Sequence, residues 1–214
     1  MVGQGVLREC LAAADVERVT AVVRRPLGVP DAKLEEIVVA DPGRLEAISD
    51  RLAGYDACFF PLGTTSVGKS EAEYARVTFD LTLGAATTIA RANPGRLTFV
   101  YVSGAGTDST EHGSRMWARV KGRTENALLR LPFRGAYMLR PGIIRARGGI
   151  RSRTRAYRIG YALLSPIVLL AVALGAGTTT DRVGRAMLQL ARVGFPHPIL
   201  GTREINEIGR APRS

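Results

Sequence analysis

Short apolar runs alternate with longer amphipathic stretches along this chain, and that alternation limits the possible folds more than any other feature of the sequence. The run at 18–23, Arg-Val-Thr-Ala-Val-Val, is apolar on both faces, as are strands buried inside a parallel sheet. Strands that alternate with helices form βαβ units, in which a parallel sheet lies between two layers of helices. The sequence therefore predicts an α/β fold with a doubly wound parallel sheet.

The same pattern places the remaining elements. Strands are predicted at 18–23, 36–40, 56–60, 97–102 and 136–139, and helices at about 3–14, 45–52, 71–92 and 114–131. Most of the strands run directly into turns rich in Gly, Ser, Thr or Pro. Ligands of doubly wound sheets bind beyond the carboxyl ends of the strands, so these turns are the expected functional site.

The charge of the chain allows an anionic partner. Lys and Arg number 30 against 19 Asp and Glu, a formal net charge of +11, and all but three of the basic residues are arginine. Genomic codon bias and an anionic ligand both explain this excess. The basic stretch lacks interleaved aromatic residues apart from Tyr157, so nucleic acid is not expected as a partner. Cys10, Cys58, His112 and His197 have no metal-ligand spacing, so no metal site is expected.

Seven short motifs occur in the order found in one large family. They are Met1-Val-Gly-Gln-Gly, Val23-Arg-Arg-Pro, Asp41 after a strand, Leu62-Gly-Thr-Thr, Val102-Ser-Gly-Ala, Lys121-Gly and Arg140-Pro-Gly-Ile. With these motifs the chain resembles the Rossmann-fold short-chain dehydrogenase superfamily. More narrowly it resembles the NAD-dependent epimerase/dehydratase-like (atypical) group, with Tat-interacting-protein-type oxidoreductases as relatives. The resemblance extends to 178–188, which is similar to the family's late helix, and implies an NAD(P)-binding protein.

The resemblance also implies which dinucleotide binds. An acid after the second family strand would accept the ribose 2′-hydroxyl of NAD, whereas this chain has Arg24 and Arg25 there. Guanidinium groups bind phosphates in a bidentate manner, so NADP is favoured over NAD; two solvated arginines are the alternative. Asp41 would lie near the adenine. The cofactor-binding residues implied are Gly3, Arg24, Arg25, Asp41, Leu62, Gly63, Thr64, Ser103, Lys121, Pro141, Gly142 and Ile143.

The catalytic positions depart from the family pattern. Short-chain dehydrogenases use a Ser at a strand end and a Tyr-x-x-x-Lys pair on the next helix, where the lysine lowers the pKa of the phenol. Ser103 and Lys121 match two of these positions, but Trp117 stands four residues before Lys121. An indole N–H can donate a hydrogen bond but does not ionise near neutral pH, so it has no proton to transfer to a substrate. The tyrosine mechanism is therefore not expected at this position.

Three interpretations of Trp117 remain. Another acid or a bound water replaces the phenol, and the chain is an oxidoreductase or epimerase-like protein acting on a small carbonyl or hydroxyl substrate. Alternatively, the chain binds dinucleotide with little or no turnover, as a sensor or scaffold. The third interpretation is an ordinary helical turn, in which the i, i+4 spacing of Trp117 and Lys121 has no catalytic meaning.

The start of the chain lacks part of the family pattern. Relatives begin with a strand followed by Gly-x-x-Gly-x-x-Gly, and only the last of these glycines is present, as Gly3. The missing strand is central in the family sheet, and its loss leaves two inner sheet edges unpaired. We therefore expect the natural gene to encode about ten more residues that complete the strand and fingerprint. The alternative is a natural variant that lacks a proper dinucleotide site.

The C-terminal third has its own pattern. Residues 1–144 are predicted to form the Rossmann domain, and 145–214 an arginine-rich, apolar and mostly helical part that packs on it. A basic stretch at 145–158 precedes an uncharged run at 159–177, which favours either a buried helical subdomain or peripheral contact with a membrane. No secretory signal is present, so a cytoplasmic location is expected, with the inner face of the membrane as the alternative. A monomer or homodimer is expected.

Overall fold

Parallel strands and helices alternate in the computed structural model, which describes residues 1–147 and 177–210. The strands are β1 Val19–Val23, β2 Leu34–Val38, β3 Ala57–Phe60, β4 Thr98–Val102, β5 Gly135–Arg140, β6 Ile143–Arg145, β7 Gly177–Thr179 and β8 Ile199–Gly201. The helices are α1 Val2–Ala12, α2 Glu71–Ala75, α3 Leu81–Ala92, α4 Met116–Leu129, α5 Thr180–Val193 and α6 Thr202–Ile208. A 3₁₀ helix spans Glu46–Leu52, and a π turn at Arg76–Asp80 joins α2 to α3.

Every strand pair within residues 1–147 and 177–210 is parallel. The main sheet has the order β3-β4-β5-β8, in which Val100 of β4 lies opposite Phe59 of β3 and Tyr137 of β5. β1 pairs with β2, and β6 pairs with β7, as two further sheets of two strands each. The predicted α/β fold with parallel strands is confirmed.

The sheet is divided between β1 and β3. Across residues 1–147 and 177–210, β1 pairs only with β2, and β3 pairs only with β4. The two sheets are linked here through side chains: the Thr20 hydroxyl and the Tyr55 hydroxyl share a hydrogen bond. This division falls where the sequence predicted two unpaired inner edges. Side-chain packing therefore replaces backbone hydrogen bonds at this position.

Alternate residues of β4 contribute to two cores, because successive side chains of a strand point to opposite faces. On one face Val100 packs with Val6 and Cys10 of α1 and with Val183 and Met187 of α5. On the other face the core is formed by β4, α3 and α4 together with neighbouring strands, and its buried members include Phe99, Tyr101, Ala85, Ile89, Leu128 and Met138. Helices cover both faces of the sheet, as a doubly wound fold requires.

The observed bounds differ from the predicted ones in a few places. β2 lies at 34–38 instead of 36–40, because its register is set by pairing Val19 with Leu34. The predicted helix at 71–92 is interrupted by the π turn, and the segment at 46–52 is a 3₁₀ helix. The three-residue strands β6, β7 and β8 and the helix α6 were not predicted.

Most of the basic and uncharged segments lie outside the described residues. The uncharged run at 159–177 is described only at Gly177, and the basic stretch only at 145–147. No helix in the described ranges is long and apolar enough to cross a membrane. β8 joins β5 in the main sheet, and α5 packs on α1. The division into domains at 144 and 145 stays a prediction.

Candidate functional site

Ser103 and Lys121 meet at the carboxyl end of β4. The Lys121 ammonium, on the second turn of α4, donates a hydrogen bond to the backbone carbonyl oxygen of Ser103. Ser103 is buried, and its hydroxyl donates to the carbonyl oxygen of Leu139 in β5 at 3.1 Å. The structure therefore brings together two of the residues that the sequence predicted, while the Ser103 hydroxyl is engaged by the neighbouring strand.

The segment 103–113, between β4 and α4, lies directly on α4. A Cβ atom on Gly122 would be 1.7 Å from the carbonyl oxygen of Asp108, so only glycine allows this close approach. The Asp108 N–H donates to the carbonyl oxygen of Ala118 at 3.1 Å. The sequence Lys121-Gly122 thus has a physical reason. Lys121 reaches the carbonyl oxygen of Ser103, and the missing side chain of Gly122 allows the 103–113 segment to lie against α4.

Trp117 packs on this same segment. Gly106 has φ +83°, a left-handed conformation that favours glycine, and a Cβ atom there would lie 3.2 Å from the Trp117 ring. Trp117 and Lys121 are one turn apart on α4, so they share a helical face. The indole therefore contacts the segment that follows Ser103 and lies on the same face of α4 as Lys121.

Electrostatics around Lys121 combine burial with one nearby acid. Burial lowers the pKa of Lys121, because the charged form loses solvation, and the carboxylate of Glu125 acts in the opposite direction. Glu125 is fully buried and is held by the Arg140 guanidinium, whose Nε lies 3.1 Å from both carboxylate oxygens. The sequence reasoning did not identify Glu125, although its i, i+4 spacing from Lys121 was a usable signal.

The turn after β5 is connected to the turn after β4. The carbonyl oxygen of Pro141 accepts from the N–H of Ala105 at 2.8 Å. The N–H of Gly142 donates to the Thr202 hydroxyl at 2.8 Å, and Ile143 is 41% exposed. Of the three residues predicted here, Gly142 has its N–H engaged within the protein, and Ile143 offers an apolar surface.

The residues predicted to contact the adenosine end lie at the carboxyl ends of β1 and β2. Arg24 and Arg25 are both exposed directly after β1. Asp41 follows β2, where its Oδ1 accepts from the N–H of Gly43 at 2.9 Å and its Oδ2 lies 3.8 Å from Arg44. Two guanidinium groups are thus available to an anion, while the Asp41 carboxylate is shared with its own turn.

The first turn of α1 lies beside the segment that follows β3. A Cβ atom on Gly3 would be 3.3 Å from the Pro61 side chain, and the first turn contains no acidic residue. A Cβ atom on Gly63 would meet nothing within 4 Å, so Gly63 borders open space, whereas Leu62 and Thr64 are half-buried and Leu62 packs against the core. The donor set consists of backbone N–H groups at a helix start and two exposed arginines. This set fits a phosphate-bearing dinucleotide.

Among residues 1–147 and 177–210, no group of three His, Cys, Asp or Glu side chains is placed to hold a metal ion. His197 instead faces Glu204, with 3.0 Å between Nε2 and a carboxylate oxygen.

Solved structures share the fold of this chain at low sequence identity. A short-chain dehydrogenase/reductase family oxidoreductase from Burkholderia thailandensis has a TM-score of 0.67 at 18% identity, over 96% of this chain and 88% of that chain. Gre2 from Candida albicans, solved with NADPH, has a TM-score of 0.68 at 12% identity, and the match covers 94% of this chain and 74% of Gre2. UDP-N-acetylglucosamine 4-epimerase from Bacillus cereus has a TM-score of 0.63 at 13% identity, and the match covers 97% of this chain and 79% of the epimerase.

The chain therefore shares its fold with short-chain dehydrogenase/reductase and epimerase structures, and the predicted resemblance in fold is confirmed. Two curated relatives are more similar in sequence. Protein FMP52-1, mitochondrial, from Scheffersomyces stipitis is 29% identical over 146 residues, and protein fmp52, mitochondrial, from Emericella nidulans is 30% identical over 151. Each match covers 67% of this chain and 63% of the relative. No family model matches the chain.

These relatives correct one prediction. The expected cytoplasmic location, with its alternative at the inner face of the membrane, is contradicted because both relatives are named mitochondrial proteins.

Proposed function

We propose that the chain binds NADP(H) along the carboxyl edge of its strands and acts as an oxidoreductase or epimerase-like protein on a small carbonyl or hydroxyl compound. The observation that carries the proposal is the Lys121 ammonium held against the Ser103 carbonyl oxygen beside Gly104. Buried ammonium groups at this edge suit a ligand hydroxyl or carbonyl oxygen. The NADPH named for the Gre2 structure supports the choice of cofactor.

Each part of the site has a separate role in this proposal. The first turn of α1 with Gly3 would hold the pyrophosphate through backbone N–H groups. Arg24 and Arg25 would bind the 2′-phosphate, which distinguishes NADP from NAD. Lys121 would donate to hydroxyls at the nicotinamide end, while Trp117 and Ile143 would cover that end with apolar surface.

The bound dinucleotide would supply or accept hydride, and the chain's own residues would orient the partners. The Trp117 indole can pack against a ring and donate one hydrogen bond, but it holds no exchangeable acid near neutral pH. The Ser103 hydroxyl donates to Leu139 O. A reaction at the carboxyl ends of the strands would therefore take its proton from Lys121, from a water molecule or from another group that contacts the substrate.

Binding can be measured through the single tryptophan of the chain. NADPH absorbs where tryptophan emits, so energy transfer from Trp117 reports binding close to Lys121. Lys121→Met should weaken NADPH at least tenfold, about the loss of one charge-assisted hydrogen bond. Lys33→Met is the matched control, since Lys33 precedes β2 and its ammonium donates to the carbonyl oxygen of Ala13, away from the carboxyl ends of the strands. Equal affinity of wild type and Lys121→Met would contradict the proposal.

A second candidate function is dinucleotide binding without turnover. It is favoured by Trp117 at the expected phenol position and by the engagement of the Ser103 hydroxyl with Leu139. In this alternative the protein binds the dinucleotide as a sensor or as a scaffold and does not turn it over. NADPH consumption by wild type above the buffer rate, with any carbonyl of a broad panel, would exclude it.

A further inference from the structure

Glu125 is a buried carboxylate in the middle of α4, and its charge is compensated from outside that helix. Its exposure is 0%, and Arg140 at the end of β5 contacts both of its oxygens, with Nη2 at 2.5 Å from Oε2. A buried carboxylate without such a partner would be unfavourable, because it would lose its solvation free energy and gain no ion pair in exchange. The pair therefore fixes the end of β5 to the centre of α4.

The same guanidinium reaches the segment that carries the site. Arg140 Nη2 donates to the Ser109 hydroxyl at 2.5 Å. The Asn126 amide, next to Glu125 on α4, donates to the Ser109 carbonyl oxygen at 3.0 Å. Ser109 lies three residues after Gly106, the residue against which Trp117 packs. Glu125 is thus connected through Arg140 to the backbone beside Trp117.

Glu125 also faces the lysine of the site. Lys121 and Glu125 are four residues apart on α4, so they occupy one helical face. The other titratable groups packed around this pair are Arg140 from β5, Tyr101 from β4 and, behind Tyr101, Tyr74 from α2. Both tyrosines are buried phenols whose pKa is raised by burial, so they stay neutral. Glu125 is therefore the negative charge that these described elements present to Lys121.

We propose that Glu125 is a positioning residue of the site: it holds the 103–113 segment through Arg140 and keeps Lys121 charged. It touches neither ligand nor cofactor in this role. The proposal rests on the proposed function in one respect: the Lys121 ammonium is the group that would donate a hydrogen bond to the ligand.

The first test uses the fluorescence of Trp117 without any dinucleotide. Glu125→Gln keeps the side-chain shape but removes the charge that holds Arg140. Acrylamide quenching of Trp117 should rise about twofold, because the segment covering the indole loses its anchor. Glu35→Gln is the matched control, since it removes a carboxylate that lies 2.6 Å from an arginine, Arg51, without a contact to the 103–113 segment. Unchanged quenching in Glu125→Gln would overturn the positioning role.

The second test measures the charge of Lys121 directly. The chain has three lysines, Lys33, Lys69 and Lys121, so selective ¹³Cε labelling gives three NMR signals that can be assigned by substitution. In Glu125→Gln the pKa of Lys121 should fall by about one pH unit, the size expected for the loss of a nearby opposite charge, while the other two stay constant. A constant Lys121 pKa would overturn the charge role.

Two further measurements cover the case in which Glu125→Gln does not fold. Glu125→Asp retains the charge on a shorter side chain, so Lys121 should titrate nearly as in wild type while Trp117 quenching rises. In wild type itself Lys121 should be charged at pH 7, and titration below pH 7 would overturn the proposal. None of these readouts contains NADPH, so they stand apart from a failure of dinucleotide binding.

Discussion

Gly5 of α1 lies directly against Thr180, the first residue of α5: a Cβ atom on Gly5 would be 2.6 Å from Thr180 Cβ and 2.8 Å from its carbonyl oxygen. The absence of a side chain therefore sets the distance between the two helices. The same contact lies beneath the first turn of α1, where the dinucleotide phosphates are proposed to bind. The Gly5–Thr180 contact must therefore stay intact for the first turn of α1 to keep its position in the proposed phosphate site.

Gly5→Ala should lower the free energy of unfolding by about 1–3 kcal/mol, because overpacking outweighs the better helix propensity of alanine. Urea denaturation followed by circular dichroism measures the change. Gly63→Ala, at a position where a Cβ atom meets nothing within 4 Å, should alter stability little. Equal stabilities of the two variants would show that α1 and α5 can separate freely.

Replacing Arg24 and Arg25 with alanine should remove the preference for NADPH over NADH. Each guanidinium that binds a phosphate contributes about 1.5–3 kcal/mol, so NADPH affinity should fall at least tenfold while NADH affinity stays similar. Calorimetric titration with both dinucleotides measures this. Arg96→Ala, which removes an exposed arginine before β4, serves as control. Equal NADPH and NADH affinities in wild type would contradict the assignment.

Trp117→Tyr should raise NADPH-dependent carbonyl reduction about 10²–10⁴-fold, the usual gain from a positioned general acid. The gain should vary with pH, since a phenol beside the Lys121 ammonium has a lowered pKa and an indole does not titrate. Trp117→Phe, which has the ring without the hydroxyl, should show no gain. Fast, pH-dependent turnover by wild type would instead mean that another residue supplies the proton.

The two thiols should be unreactive in the folded state. Burial raises the pKa of both Cys10 and Cys58 from 9.0 to about 12, so thiolate is scarce at pH 8. Ellman's reagent should react with them only in urea. Between pH 9 and pH 12 the unfolded thiols ionise while the folded ones stay protonated, so stability should decline across that window. Immediate reaction of one thiol at pH 8 would contradict its burial.

The sequence predicted those elements whose signal is local. β1 and β4 were located to within one residue, because Val19–Val23 and Thr98–Val102 are continuous apolar runs. The strands Ile143–Arg145 and Ile199–Gly201 were missed, since three residues show no periodicity and their pairing depends on distant partners. The π turn at Arg76–Asp80 was also missed, because a single turn within a longer helical stretch is too short to show a period of its own.

Prediction of the site followed the same rule. Ser103 and Lys121 were identified from a motif with fixed spacing, and the structure joins them. The i, i+4 spacing of Glu125 from Lys121 was present in the sequence, but the ion pair of Glu125 with Arg140, which is 15 residues away, forms only when β5 lies beside α4. Residues whose role depends on a single distant partner are not visible in a pattern of neighbours.

The division between β1 and β3 has a consequence for how the molecule opens. Arg24 and Asp41 follow the strands of the β1–β2 sheet, whereas Ser103 follows β4 in the sheet of β3, β4, β5 and β8. Amide protons of the two sheets should therefore exchange with deuterium as two cooperative units, with the two-stranded unit opening at lower free energy. A ligand that spans both units would couple them and give them a common protection factor.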